Sequence, residues 1–135
     1  MGRTIAGVVV GVVVAWLTIM LAEFASAPLH PVPAGLDMHD PTSVAAFVAT
    51  LPVTALLLVL AGWVLGALIG GHVAARIARK PRPALVVGIV IEIGVIANAV
   101  MIPHPLWMTA AGVLLPVPAA WLGARLATRR ANATR

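Results

Sequence analysis

The sequence has no cysteine, very few charges and almost no serine, and each shortage closes off a class of chemistry. Without cysteine there is no disulfide framework, no zinc–thiolate site and no thiol nucleophile. Ser26 and Ser43 are the only serines, and both lie outside the long apolar runs, which leaves none for an intramembrane hydrolase. No glycine-rich phosphate loop, His-Glu-x-x-His motif or nucleophile elbow occurs. The expectation is a non-catalytic protein with no cofactor. Only 10% of the 135 residues are charged and 61% are hydrophobic, whereas a soluble domain carries about a quarter charged residues. Lipid would solvate such a surface and water would not, so the chain reads as one integral membrane domain over residues 1–135.

Basic residues are missing from two long stretches, Thr4 to Ala75 and Pro83 to Ala124. All of them gather at Arg3, at Arg76, Arg79, Lys80 and Arg82, and at Arg125, Arg129, Arg130 and Arg135. This is the pattern of short cytoplasmic segments flanking apolar spans. The net charge of +5 therefore belongs to membrane topology, and nucleic acid is not an expected partner. Anionic headgroups are, through Arg76, Arg79, Lys80, Arg82, Arg129 and Arg130.

Four spans follow, at about 4–24, 51–76, 84–102 and 106–127, with both termini cytoplasmic. The fold class is an all-α four-helix membrane bundle. The first apolar run is longer than the ~7–15 residues of a signal-peptide core, and Pro28 follows it at once, so it reads as a retained helix. Residues 25–50 form the one long polar loop, on the outer side. Within it Asp40-Pro41 opens a short interfacial helix from Pro41 to Thr50, with Asp40 as N-cap. The link around Pro81 and Pro83 is a tight inner turn, and Pro103-His104-Pro105 a tight outer one.

Span two steps by four through Gly62, Gly66, Gly70, Ala74 and Ala78, a GxxxG-type seam on which another backbone can approach closely. Span one carries a matching seam at Gly7, Gly11 and Ala15. The two seams pack on each other, or one of them pairs with a second copy in a homo-oligomer or small membrane complex.

Two polar groupings are candidate sites. Glu92, well inside span three, is costly as a bare carboxylate in hydrocarbon and must be protonated, partnered or beside water. With Asn98 and the proline break at Pro116 and Pro118 in span four it forms a candidate intramembrane site, although Asn98 projects about 120° away from Glu92. The second grouping is an outer one of Glu23, His30, Asp37, His39, Asp40 and His104, residue types that ligate transition metals. Its spacing is irregular, and Asp37-Met38-His39-Asp40 also reads as a capped turn. Glu23 is placed on the side of span one away from its seam, and His72 toward the inner headgroups.

The string Gly62-Trp63-Val64-Leu65-Gly66, with Gly70-Gly71, Ala74-Ala75-Arg76 and Pro103-His104-Pro105-Leu106-Trp107-Met108, resembles small uncharacterised four-span bacterial membrane proteins over nearly the whole chain. The resemblance implies a bacterial inner membrane and carries no activity. Three functions compete at this point. One is an oligomeric solute or ion transporter built around an intramembrane carboxylate. Another is a scaffold subunit packed through the glycine seams, and the third is an outer-face metal binder.

Overall fold

The computed structural model describes residues 1–133, with side chains through Thr128. It is all-helical: α1 (Gly2–Ser26), α2 (Pro41–Thr50), α3 (Val53–Ala78), α4 (Arg82–Met101), α5 (Leu106–Leu114) and α6 (Pro116–Ala133), with a short 3₁₀ turn at Ala27–Leu29. Four segments are long and apolar enough to cross a bilayer: Gly2–Leu29, Val53–Ala78, Arg82–Met101 and Leu106–Thr128. Their outward faces carry large apolar side chains such as Ile5, Val9, Leu17, Leu21, Ile93 and Val100. A surface of that kind requires lipid against it.

The helix ends follow from local chemistry. Asp40 caps α2 through both carboxylate oxygens, accepting from the Thr42 and Ser43 amides and the Ser43 hydroxyl. Those bonds, the Ser43 hydroxyl first, hold its carboxyl below the usual range. Leu51 and Pro52 then break the chain between α2 and α3. Instead of only resting on the interface, α2 contributes the buried Val44 and Val48 to the apolar core. At the other end α3 runs on to Ala78, two residues past the expected boundary, and stops at Arg79 in a left-handed conformation with φ 56°. α4 begins at Arg82 because a proline in the first turn, Pro83, sacrifices no helical hydrogen bond.

α3 is the central helix. It buries twelve of its 26 residues against four of 25 in α1, and it touches α1, α4, α5 and α6. Against α1 it runs antiparallel at backbone contact distance. A Cβ added to Gly70 would lie 2.5 Å from the Gly11 carbonyl oxygen, and one added to Gly11 would lie 2.7 Å from that of Gly70. Gly7 sits in the same way against Ala74, Gly66 against Ala15 and Ile19, and Gly62 against Ala22. The two seams therefore meet within one chain.

A second close crossing, which the glycine steps of span two did not predict, joins α3 to α6. Gly71 lies against the Ala120 backbone, and a Cβ at Gly123 would collide with the Leu68 carbonyl. His72 does not reach for headgroups. Its Nδ1 lies 3.1 Å from the Gly123 carbonyl oxygen, and because a carbonyl only accepts, Nδ1 carries the proton. The part-buried imidazole is thus shared by two close helices.

Pro116 and Pro118 kink the last span without dividing it. Leu115 interrupts the helix between α5 and α6, yet its amide still reaches the Ala111 carbonyl at 3.0 Å and Ala119 reaches Leu115 at 3.0 Å. Pro116 is fully buried, with Val87, Ile91 and Met108, while Pro118 faces outward.

The antiparallel packing sorts charge by end. Arg3 and the Arg76–Arg82 cluster lie together, joined by Arg125, which follows the Gly123 contact with α3 by two residues. Expected headgroup contacts at Arg129 and Arg130, and the residue Arg135, lie outside the described side chains. The opposite end holds the loop of residues 27–40, Glu23 and His104.

Candidate functional site

A cavity of about 60 Å³ opens between α1, α3 and α4 in the half of the bundle nearer the loop. Trp16, Ile19 and Glu23 supply the α1 wall, Trp63 the α3 wall, and Ile91, Gly94, Val95 and Asn98 the α4 wall. A water needs about 10–15 Å³ on this measure, so a few waters or one small solute fit. Trp16 and Glu23 stand about 10 Å apart along the helix axis, so the cavity reaches from the last turns of α1 toward the bilayer middle.

Each wall follows helical spacing. Trp16, Ile19 and Glu23 recur at i, i+3 and i+7, and Ile91, Gly94, Val95 and Asn98 at i, i+3, i+4 and i+7, so each set shares one face. Gly94 leaves the space that a side chain would fill, its missing Cβ being 3.4 Å from the Trp16 ring. The polar groups are one carboxylate at Glu23 and one amide at Asn98. The Asn98 Oδ1 is buried and has no hydrogen-bond partner. A buried polar atom left so costs about 1–3 kcal/mol, which a bound donor or cation would offset.

Glu23 was expected on the side away from the Gly7–Gly11 seam, and it stands about 160° round α1 from Gly7, exposed at the cavity mouth, while Ala22 meets Gly62 on the seam side. Glu92, by contrast, is half-exposed on α4 and lines neither this cavity nor the groove containing Pro118. Glu92, Asn98, Pro116 and Pro118 are thus not one site: Asn98 is in the cavity, Pro116 in the core, and Pro118 on an apolar outer surface.

The outer grouping is dispersed as well. Among the described residues no three His, Asp or Glu side chains come close enough to hold a metal ion. Asp37 accepts the His39 amide at 2.8 Å, and Asp40 is occupied as the α2 cap. The His30 amide closes the 3₁₀ turn onto Ala27. His104 turns inward and meets the Trp63 ring edge-on at 5.8 Å between centroids. Its Nδ1 is buried without a hydrogen-bond partner.

Burial lowers the His104 pKa below the ordinary histidine value, and the Ile102 backbone only partly offsets it. The folded protein therefore holds His104 neutral where the unfolded chain would already be protonated. Stability contributed by the neutral imidazole is complete above the unfolded value of about 6.5 and is lost as pH falls from there through the lower folded value. The thermal unfolding midpoint in detergent should drop on acidification across that window, and His104→Gln should flatten this part of the profile. An unchanged profile in the variant would place the proton elsewhere.

Four long apolar helical spans, three of them packed around α3, define a small polytopic membrane protein of the four-span class. No family of proteins, curated protein or solved structure matches the chain.

Proposed function

We propose that the protein is a non-catalytic membrane protein that binds a small monovalent cation in the Glu23–Asn98 cavity and handles it in transport or channel-like passage across a bacterial cytoplasmic membrane. In this reading both termini are cytoplasmic, because the cationic end of the bundle takes the inner side. The observation that carries the proposal is the unpartnered Asn98 Oδ1 facing the same cavity as the Glu23 carboxylate. A carboxylate, an amide oxygen and the two indoles of Trp16 and Trp63 are together groups that attract a cation.

The carboxylate at issue is Glu23, not Glu92. The scaffold reading loses its main support, since Gly11 and Gly70 face each other inside one chain and leave no free seam for a partner. Any self-association must use another face.

The test is calorimetry of the purified protein in detergent with methylammonium and with sodium. Glu23→Gln keeps the shape of the site and removes its charge, and should weaken binding by tenfold or more, as expected for a charge-assisted contact of about 1.5–3 kcal/mol. Glu92→Gln should bind as the parent does. Equal binding by the Glu23 variant would reject the assignment.

A further inference from the structure

A second recess lies on the lipid-facing side of the bundle, between α4 and α6, away from the cavity. It is an open-sided groove of about 370 Å³ lined by Leu85, Val117, Pro118 and Trp121. No side chain of the groove itself is charged. Gly88 brings the two helices together at its floor, its missing Cβ lying 2.9 Å from the Val117 Cα and 3.0 Å from the Ala120 Cβ. The Pro118 ring turns outward at the kink and forms part of the rim.

The groove has a cationic mouth. Arg125 follows Trp121 by one helical turn, and its guanidinium lies over the Trp121 ring at 5.5 Å from the centroid. Arg82 precedes Leu85 by three residues on the other wall. Ala84 and Ala124, which adjoin these arginines in sequence, pack in one buried cluster with Ala75 and Ala127. Both arginines are exposed, and no Asp or Glu side chain lies at this end of the bundle, since Glu23, Asp37 and Asp40 are at the other end and Glu92 is two turns beyond Leu85. An apolar channel that ends in two free guanidinium groups is complementary to one molecule of the surrounding solvent: a phospholipid with an anionic headgroup.

We infer that this groove is a specific site for one anionic phospholipid, with an acyl chain along Leu85, Val117, Pro118 and Trp121 and the headgroup phosphate between Arg82 and Arg125. Guanidinium groups suit a phosphate because their forked donors match its oxygens. Trp121 does two things, packing on the chain and holding the Arg125 plane in position. The cluster at Arg76, Arg79 and Lys80 carries one charge more, without a groove, and attracts headgroups only diffusely. The inference is independent of cation binding at Glu23.

Native mass spectrometry of the full chain, released from detergent with added phosphatidylglycerol or phosphatidylcholine of the same acyl chains, tests it. One phosphatidylglycerol should be retained in preference to phosphatidylcholine, and inorganic phosphate should not displace it. Arg82→Gln and Arg125→Gln should each lower the retained fraction about fivefold, the effect of about 1 kcal/mol per surface arginine. Leu85→Trp, which fills the groove, should lower it without changing charge, while the Arg76→Gln, Lys80→Gln double variant should retain lipid as the parent does. Equal retention of the two lipids, equal loss in that double variant, displacement by phosphate, or a dimer with an empty groove would each overturn the inference.

Discussion

Replacing Gly70 with leucine should separate α1 from α3 and cost the protein about 3 kcal/mol or more, at the upper end of what overpacked cores show. The size follows from what the new side chain meets. Its Cβ alone would lie 2.5 Å from the Gly11 carbonyl oxygen, 2.7 Å from the Ala15 Cβ and 3.2 Å from a Val87 methyl. The first of these is backbone and the second is fixed to backbone, so no rotamer change relieves them. The helices must move apart, and doing so also loosens Gly7 on Ala74 and Gly66 on Ala15. Without a hydrophobic drive between helices in lipid, such van der Waals contact supplies much of the association energy. Gly94→Ala is the matched control, because its nearest neighbour is the Trp16 ring at 3.4 Å, an ordinary contact. It should be neutral or slightly stabilising, since alanine favours a helix over glycine by up to about 1 kcal/mol. Unfolding midpoints in one detergent measure both, and similar values for Gly70→Leu and Gly94→Ala would disprove the tight seam.

This contrast also separates what could be read in the sequence from what could not. The spans, the α2 cap at Asp40 and the glycine steps are properties of short stretches, governed by hydropathy, proline geometry and a single period. They are visible in one segment at a time. The second crossing, Gly71 on Ala120 and Gly123 on Leu68, depends on which two helices become neighbours and at what height. Neither sequence segment carries that information alone. Glu23 shows the same limit within one helix: it stands about 160° round from Gly7 and is exposed, and nothing in α1 alone says that it borders a cavity. The cavity wall at Trp16, Ile19 and Glu23 was legible as i, i+3, i+7 spacing, and so was its partner at Ile91, Val95 and Asn98. What joined them was the placement of α4 against α1. The histidines misled for a related reason. Chain position put His72 and His104 near the two interfaces, but each is drawn inward by a neighbour remote in sequence, His72 by Gly123 and His104 by Trp63.

Asn98→Leu should make the protein more stable and at the same time abolish the cation binding proposed for the Glu23–Asn98 cavity. The Asn98 Oδ1 is buried without a partner, and replacing such a group with an apolar one of similar shape recovers a desolvation cost of about 1–3 kcal/mol. Leucine keeps the γ-branched outline of asparagine and avoids the χ1 restriction that a β-branched residue brings in a helix. The unfolding midpoint in detergent should therefore rise. Binding should fall with it, because the cation loses the oxygen that desolvates it opposite Glu23, and binding sites commonly trade stability for function in this way. Ligand linkage makes the two effects separable in one experiment. Methylammonium at a hundred times its dissociation constant should stabilise the parent by about 2.7 kcal/mol and leave Asn98→Leu unmoved. Addition of the cation would then narrow or reverse the gap between the two proteins. A midpoint for Asn98→Leu below that of the unliganded parent would mean that the amide oxygen is already satisfied, and the cavity would lose its strongest claim to a ligand.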